Sequence, residues 1–186
     1  MLQFPPLPSW DSMHPLIIHF PIVLLLMSPL LLLISAAVPP TKARPYMIVA
    51  LLMLLLGTVS LFVATSTGEA AGELAERGGA LNAVLQSHQE LASETKIIFS
   101  ILSAILVGMI VVPIALRRKQ SRLFSTLLPV TFLVLYSVGV VFLVNTAHQG
   151  GRLVHEFGVH ALLPVPGSVT DASPAPSGKE AHDDKE

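Results

Sequence analysis

The chain has 186 residues, 52% of them hydrophobic and 12% charged, with a mean hydropathy of +0.70. Soluble domains are roughly 25% charged, so this composition excludes a water-soluble globule, a disordered polar chain and a basic nucleic-acid binder. Lys and Arg total 11 against 12 Asp and Glu, a formal net charge of −1, and the absence of Cys excludes disulfides, thiolate metal sites, iron–sulfur clusters and thioether-attached haem.

Four stretches are long and apolar enough to cross about 30 Å of hydrocarbon, which takes about 20 residues. They run about 16–38, 46–66, 97–116 and 123–147, and none contains Lys, Arg, Asp or Glu. Backbone groups in lipid must be satisfied internally, and the apolar runs are unbroken rather than alternating, so the spans read as helices. The expected fold is all-α: a polytopic bundle of four transmembrane helices, with the lipid bilayer as its surroundings. The segment 1–15 has no basic run, and no small-residue cleavage site follows the first apolar stretch, so that stretch reads as a retained helix rather than a signal peptide.

Loop charge sets the side. PPTKARP (39–45) carries Lys42 and Arg44, and RRKQSR (117–122) carries Arg117, Arg118, Lys119 and Arg122. The positive-inside rule places both loops in the cytoplasm and both termini outside, in the periplasm of a bacterium whose inner membrane holds the protein. The 67–95 segment then faces out. It reads as a helical extension of the second span with Glu69 and Glu73 at i, i+4, a stop at Gly78-Gly79, and a second helix running into the third span. From residue 165 to 186 the composition turns to Pro, Ser, Ala, Gly and charge, as in a disordered periplasmic tail. Residues 16–164 form the transmembrane domain.

All seven His lie on the outer half or outside: His14, His19, His88, His148, His155, His160 and His182. An ionisable side chain within a span marks a functional site by default, and neutral imidazole ligates haem iron, zinc, copper or non-haem iron. His14 and His19 are five residues apart, about 140° around a helix, so they do not point at one ion together. A haem b held by two imidazoles takes one from each of two helices. His19 with His88 is the first choice, with His14 and His148 as substitutes and Arg152, ahead of Arg77, to neutralise propionates. A zinc or non-haem iron site would add carboxylates from Glu69, Glu73 or Glu94, with Thr67 and Asn145 as supporting donors. The plain alternative is a cofactor-free structural or assembly protein whose His anchor and pack. No Ser-His-Asp set, phosphate loop, dinucleotide fingerprint or HExxH is present, which favours an electron-transfer or structural subunit over a stand-alone enzyme.

The segments HPLIIHFPI (14–22), ATSTGEAA (64–71), SHQELA (87–92) and GGRLVHEFGVH (150–160) together resemble a widespread bacterial family of small four-helix membrane proteins known as a domain of unknown function. The resemblance covers about residues 12–161. It implies the four-helix architecture, a link to respiratory or cytochrome-type proteins, and haem binding with His14, His19 and His88 as recurrent residues. The expected partners are subunits of a redox complex, a periplasmic cytochrome or a second copy of the chain.

Overall fold

A computed structural model describes residues 8–75, 78–117 and 126–159. Arg77, most of the basic 117–122 loop, the first residues of the fourth apolar stretch, His160, His182 and the proposed tail at 165–186 lie outside the described residues. Among those described there is no strand. A 3₁₀ turn at Asp11–Met13 leads into α1 (His14–Ile17), followed by α2 (His19–Ala37), α3 (Pro40–Leu74), α4 (Gly79–Ala115) and α5 (Leu128–His155). Four helical units are long and apolar enough to cross a membrane, with α1 and α2 together forming the first. The all-helical transmembrane bundle expected from the sequence is what the chain forms.

Proline and glycine set the breaks. Pro21 has no N–H to offer the Ile17 carbonyl, and the helix is interrupted at Ile18, between α1 and α2. At the other end of α2 the chain turns through extended Val38 and Pro39, and Pro40 opens α3 at a position where its missing donor costs nothing. Between α3 and α4, Ala75 and Gly78 are extended. α3 and α4 have 35 and 37 residues. At 1.5 Å per residue they are about 50 and 55 Å long, so each extends well beyond a hydrocarbon layer of about 30 Å.

The helices form a ring. α2 packs on α3, α3 on α4, α4 on α5 and α5 on α2, while the diagonal pairs α2/α4 and α3/α5 do not meet among the described residues. Inside lie Leu25, Leu32, Leu54, Phe99, Leu102, Leu106, Phe132 and Tyr136. Tyr136 sits edge-on to Phe99 and Phe132, with centroids 5.5 and 5.9 Å away. The outer surface is equally apolar: Leu33, Val59, Ile101, Val134 and Val141 are exposed, as in a bundle surrounded by lipid.

Without water in the bilayer, each freed backbone group needs a partner. Pro29 lacks the N–H that would serve the Leu25 carbonyl within α2, and the Tyr136 hydroxyl of α5 donates to that carbonyl instead at 2.8 Å. Ser28 and Ser35 donate to the carbonyls of Ala50 and Ala43 on α3, and Thr58 meets Ser103 across α3 and α4 at 3.0 Å. These bonds tie neighbouring helices that have little hydrophobic reason to prefer one another over lipid. The two ends of the bundle differ in charge. Lys42, Arg44 and Arg117 are exposed at one end, and Glu69, Glu73, Glu90 and Glu94 at the other, where His14 and His88 also lie.

Candidate functional site

The histidine end holds a cavity of about 360 Å³ whose walls come from all four helical units. Pockets that take cofactors and small ligands measure about 300–1,000 Å³, so this one is at the compact end. His14, Ile18, Leu61, His88, Leu143 and Val154 are among the residues that line it.

The two imidazoles are held in the same way. The His14 ring of α1 donates through Nδ1–H to the Ala64 carbonyl of α3 at 2.9 Å, with Thr67 Oγ1 at 3.2 Å. The His88 ring of α4 donates through Nδ1–H to the Thr146 carbonyl of α5 at 3.0 Å. A carbonyl can only accept, so each Nδ1 carries the proton and each Nε2 keeps its lone pair. Neither Nε2 has a hydrogen-bond partner among the described residues, and no buried side-chain nitrogen or oxygen there lacks one, so both Nε2 atoms remain accessible. A backbone acceptor that fixes ring and tautomer is the support usually found behind a metal-bound His. The rings also press on glycines. A methyl group at Gly68 would lie 2.8 Å from His14 Cε1, and one at Gly150 would lie 3.1 Å from His88 Cε1.

The structure places the two members of the pairing expected from sequence differently. His19 is exposed and does not line the cavity, whereas His14 does. The inward stripe of the first span runs through Pro21, Leu25, Ser28, Leu32 and Ser35, all buried. His14 lies seven residues before Pro21, on that stripe, and His19 lies off it. His148 is exposed and absent from the lining, while His155, one turn beyond Gly151, reaches the cavity. Arg152 is turned away: it donates from Nε to both Glu156 carboxylate oxygens at 3.0 Å and from Nη1 to Gln149 Oε1 at 3.1 Å. That guanidinium holds the Glu156 carboxyl below the usual carboxylate range.

Of the carboxylates, Glu69 stands exposed at the cavity and Glu73 and Glu94 are exposed away from it. No group of three His, Cys, Asp or Glu close enough to hold a metal ion occurs among the described residues. Thr67 is the supporting donor and acceptor beside His14, whereas Asn145 donates to Val141 O on its own helix. Sequence reasoning gave Gly68 and the carbonyls of Ala64 and Thr146 no part in the site, and Gly150-Gly151, a pair that reads as a turn after the fourth span, instead lies inside α5, which runs on to His155. The signal available was spacing: each glycine follows by four the residue whose carbonyl takes the imidazole proton.

Comparison of the chain with curated proteins and with solved structures finds no match. Residues 11–162 match the family model described as predicted membrane protein (DUF2231), and the chain belongs to that family.

Proposed function

We propose that this is a multi-pass protein of the bacterial inner membrane that binds haem b through His14 and His88 and serves electron transfer within a redox complex. The observation that carries the reading is the matched pair of imidazoles, one from each helical hairpin, each with Nδ1 tied to a carbonyl, Nε2 without a protein partner among the described residues, and its ring lining one apolar cavity. Two imidazoles without a third protein ligand among the described residues suit a haem, whose porphyrin would supply the remaining four donors, better than zinc or non-haem iron, which call on three or four protein ligands. Bound there, haem supplies a reversible one-electron change at iron. The chain's own part is to present both lone pairs and surround the macrocycle with Ile18, Leu61, Leu143 and Val154. Glu69, at the cavity, and Arg152, engaged by Glu156, leave the described part of the cavity without a cation for propionates. The orientation follows from the basic 39–45 and 117–122 loops, with the histidine end outside.

The same hydrogen bonds favour a second reading, in which the two His are clamps between helices in a cofactor-free protein. Spectra separate the two. The full chain, purified in detergent from haem-replete cells, is expected to show a Soret band and a reduced α-band that His14→Ala and His88→Ala each abolish. A folded protein with neither band overturns the haem reading. One stoichiometric metal ion in its place moves the same imidazoles to a non-haem centre.

A further inference from the structure

The two helical hairpins repeat one another. Moving 74 positions along the chain carries His14 onto His88, Pro21 onto Thr95, Leu25 onto Phe99, Ser28 onto Leu102 and Leu32 onto Leu106. Apart from the half-buried His, every residue in that series is buried. Moving 82 positions carries Ala50 onto Phe132, Leu54 onto Tyr136, Gly57 onto Gly139, Leu61 onto Leu143, Ala64 onto Thr146 and Gly68 onto Gly150. Any two packed helices share a heptad-like register, so burial alone would prove little. The contacts prove more.

A methyl at Gly57 would strike Leu25, and one at Gly139 would meet Phe99, the residue equivalent to Leu25. A methyl at Gly68 would strike His14, and one at Gly150 would meet His88. The acceptors Ala64 and Thr146 are equivalents too. Both hairpins start at the same end, and the ring of helix contacts maps onto itself when one hairpin replaces the other. That is the arrangement of parallel repeats about an axis along the membrane normal.

We infer that Gly68 and Gly150 are equivalent positioning residues, each leaving room for the imidazole of its own hairpin to reach the carbonyl four residues earlier and turn Nε2 into the shared cavity. Each glycine therefore acts on its own ring. The approach is closer at Gly68, where a methyl would stand 2.8 Å from the ring, than at Gly150, where the separation is 3.1 Å. Gly108 supplies the control, since a methyl there meets nothing within 4 Å.

The test compares the full chain with Gly68→Ala, Gly150→Ala and Gly108→Ala, each checked for helicity. In haem-free protein labelled with ¹⁵N-histidine, two rings are expected as neutral Nδ1–H tautomers in strong hydrogen bonds. Gly68→Ala releases the ring assigned to His14 and Gly150→Ala the ring assigned to His88, whereas Gly108→Ala releases neither. This readout does not need the haem. A second one rests on the haem reading: both glycine variants convert a low-spin bis-imidazole spectrum toward high spin, Gly68→Ala more completely, and added imidazole restores it. If the wild type binds no haem but each glycine frees only its own ring, the functional reading fails and the positioning inference stands. Unchanged tautomers in both variants, or equal disturbance of both rings by either, overturn the inference. Should Gly68→Ala fail to fold, the milder Gly150→Ala decides by the same criteria.

Discussion

The middle of the bundle and its histidine end use one device to different ends. In the middle, side-chain donors cross to carbonyls of a neighbouring helix: Ser28 to Ala50, Ser35 to Ala43, Tyr136 to Leu25. At the histidine end, His14 and His88 cross to Ala64 and Thr146. A hydroxyl has one proton, and donating it completes the contact. An imidazole spends one nitrogen on the clamp and keeps the other. The middle is therefore closed by its own bonds, and the histidine end keeps a second ring nitrogen, without a protein partner among the described residues, on each of two imidazoles that line a cavity.

Substitutions at the two places should separate function from stability. On the proposed haem reading, the largest effect is expected from His88→Ala, which would remove the haem spectrum entirely while helicity persists, as read by absorption and circular dichroism on one sample. Phe99→Ala should do the reverse. It opens a void beside Gly139 and Tyr136 and lowers stability by about 3 kcal/mol, yet the spectrum is retained in the folded fraction. Chemical unfolding in detergent measures it. Tyr136→Phe keeps the ring but leaves the Leu25 carbonyl without a donor, since Pro29 has none to give, at a cost of about 1–2 kcal/mol.

The smallest effect belongs to Arg152→Ala. Arg152 and Glu156 form an exposed i, i+4 pair at 3.0 Å, and such pairs contribute little. Because the folded carboxyl is held below its ordinary range, the pair favours the folded state above that range and stops doing so as pH falls through the lowered value. The variant should return Glu156 to ordinary titration, seen by ¹³C NMR, with the haem spectrum unchanged. An altered spectrum would bring Arg152 back to the site.

Span number, helical class and the band of histidines at one end were all legible in the sequence, because charge-free runs of about 20 residues admit few other readings. Which face of each helix turns inward was not. In lipid both faces are apolar, so the usual amphipathic contrast is absent. That is why His19 was expected at the site and His14 lines it instead. The clue lay in small and polar residues, Ser28 and Ser35, which mark the inner stripe and share their register with His14. The extension of α3 and α4 beyond the charge-free stretches at 46–66 and 97–116 was legible too, from the i, i+4 acids Glu69 and Glu73 and the glycine stop at Gly78-Gly79, and the helices run Pro40–Leu74 and Gly79–Ala115. The repeat was hidden because its equivalents are chemically unlike: Leu25 and Phe99, Ala50 and Phe132. What the two hairpins share is size and position at contacts, which a letter-by-letter comparison does not weigh.

The length of α3 fixes how far the site stands from the opposite side of the membrane. From Pro40 to Ala64 the helix climbs 24 residues, about 36 Å, before it meets the His14 ring. No other His occurs between residues 20 and 87 or between 89 and 147 to mark an intermediate stop. On the proposed reading, a redox group held at this level would exchange electrons at the histidine end, about 36 Å along α3 from the turn at Pro40.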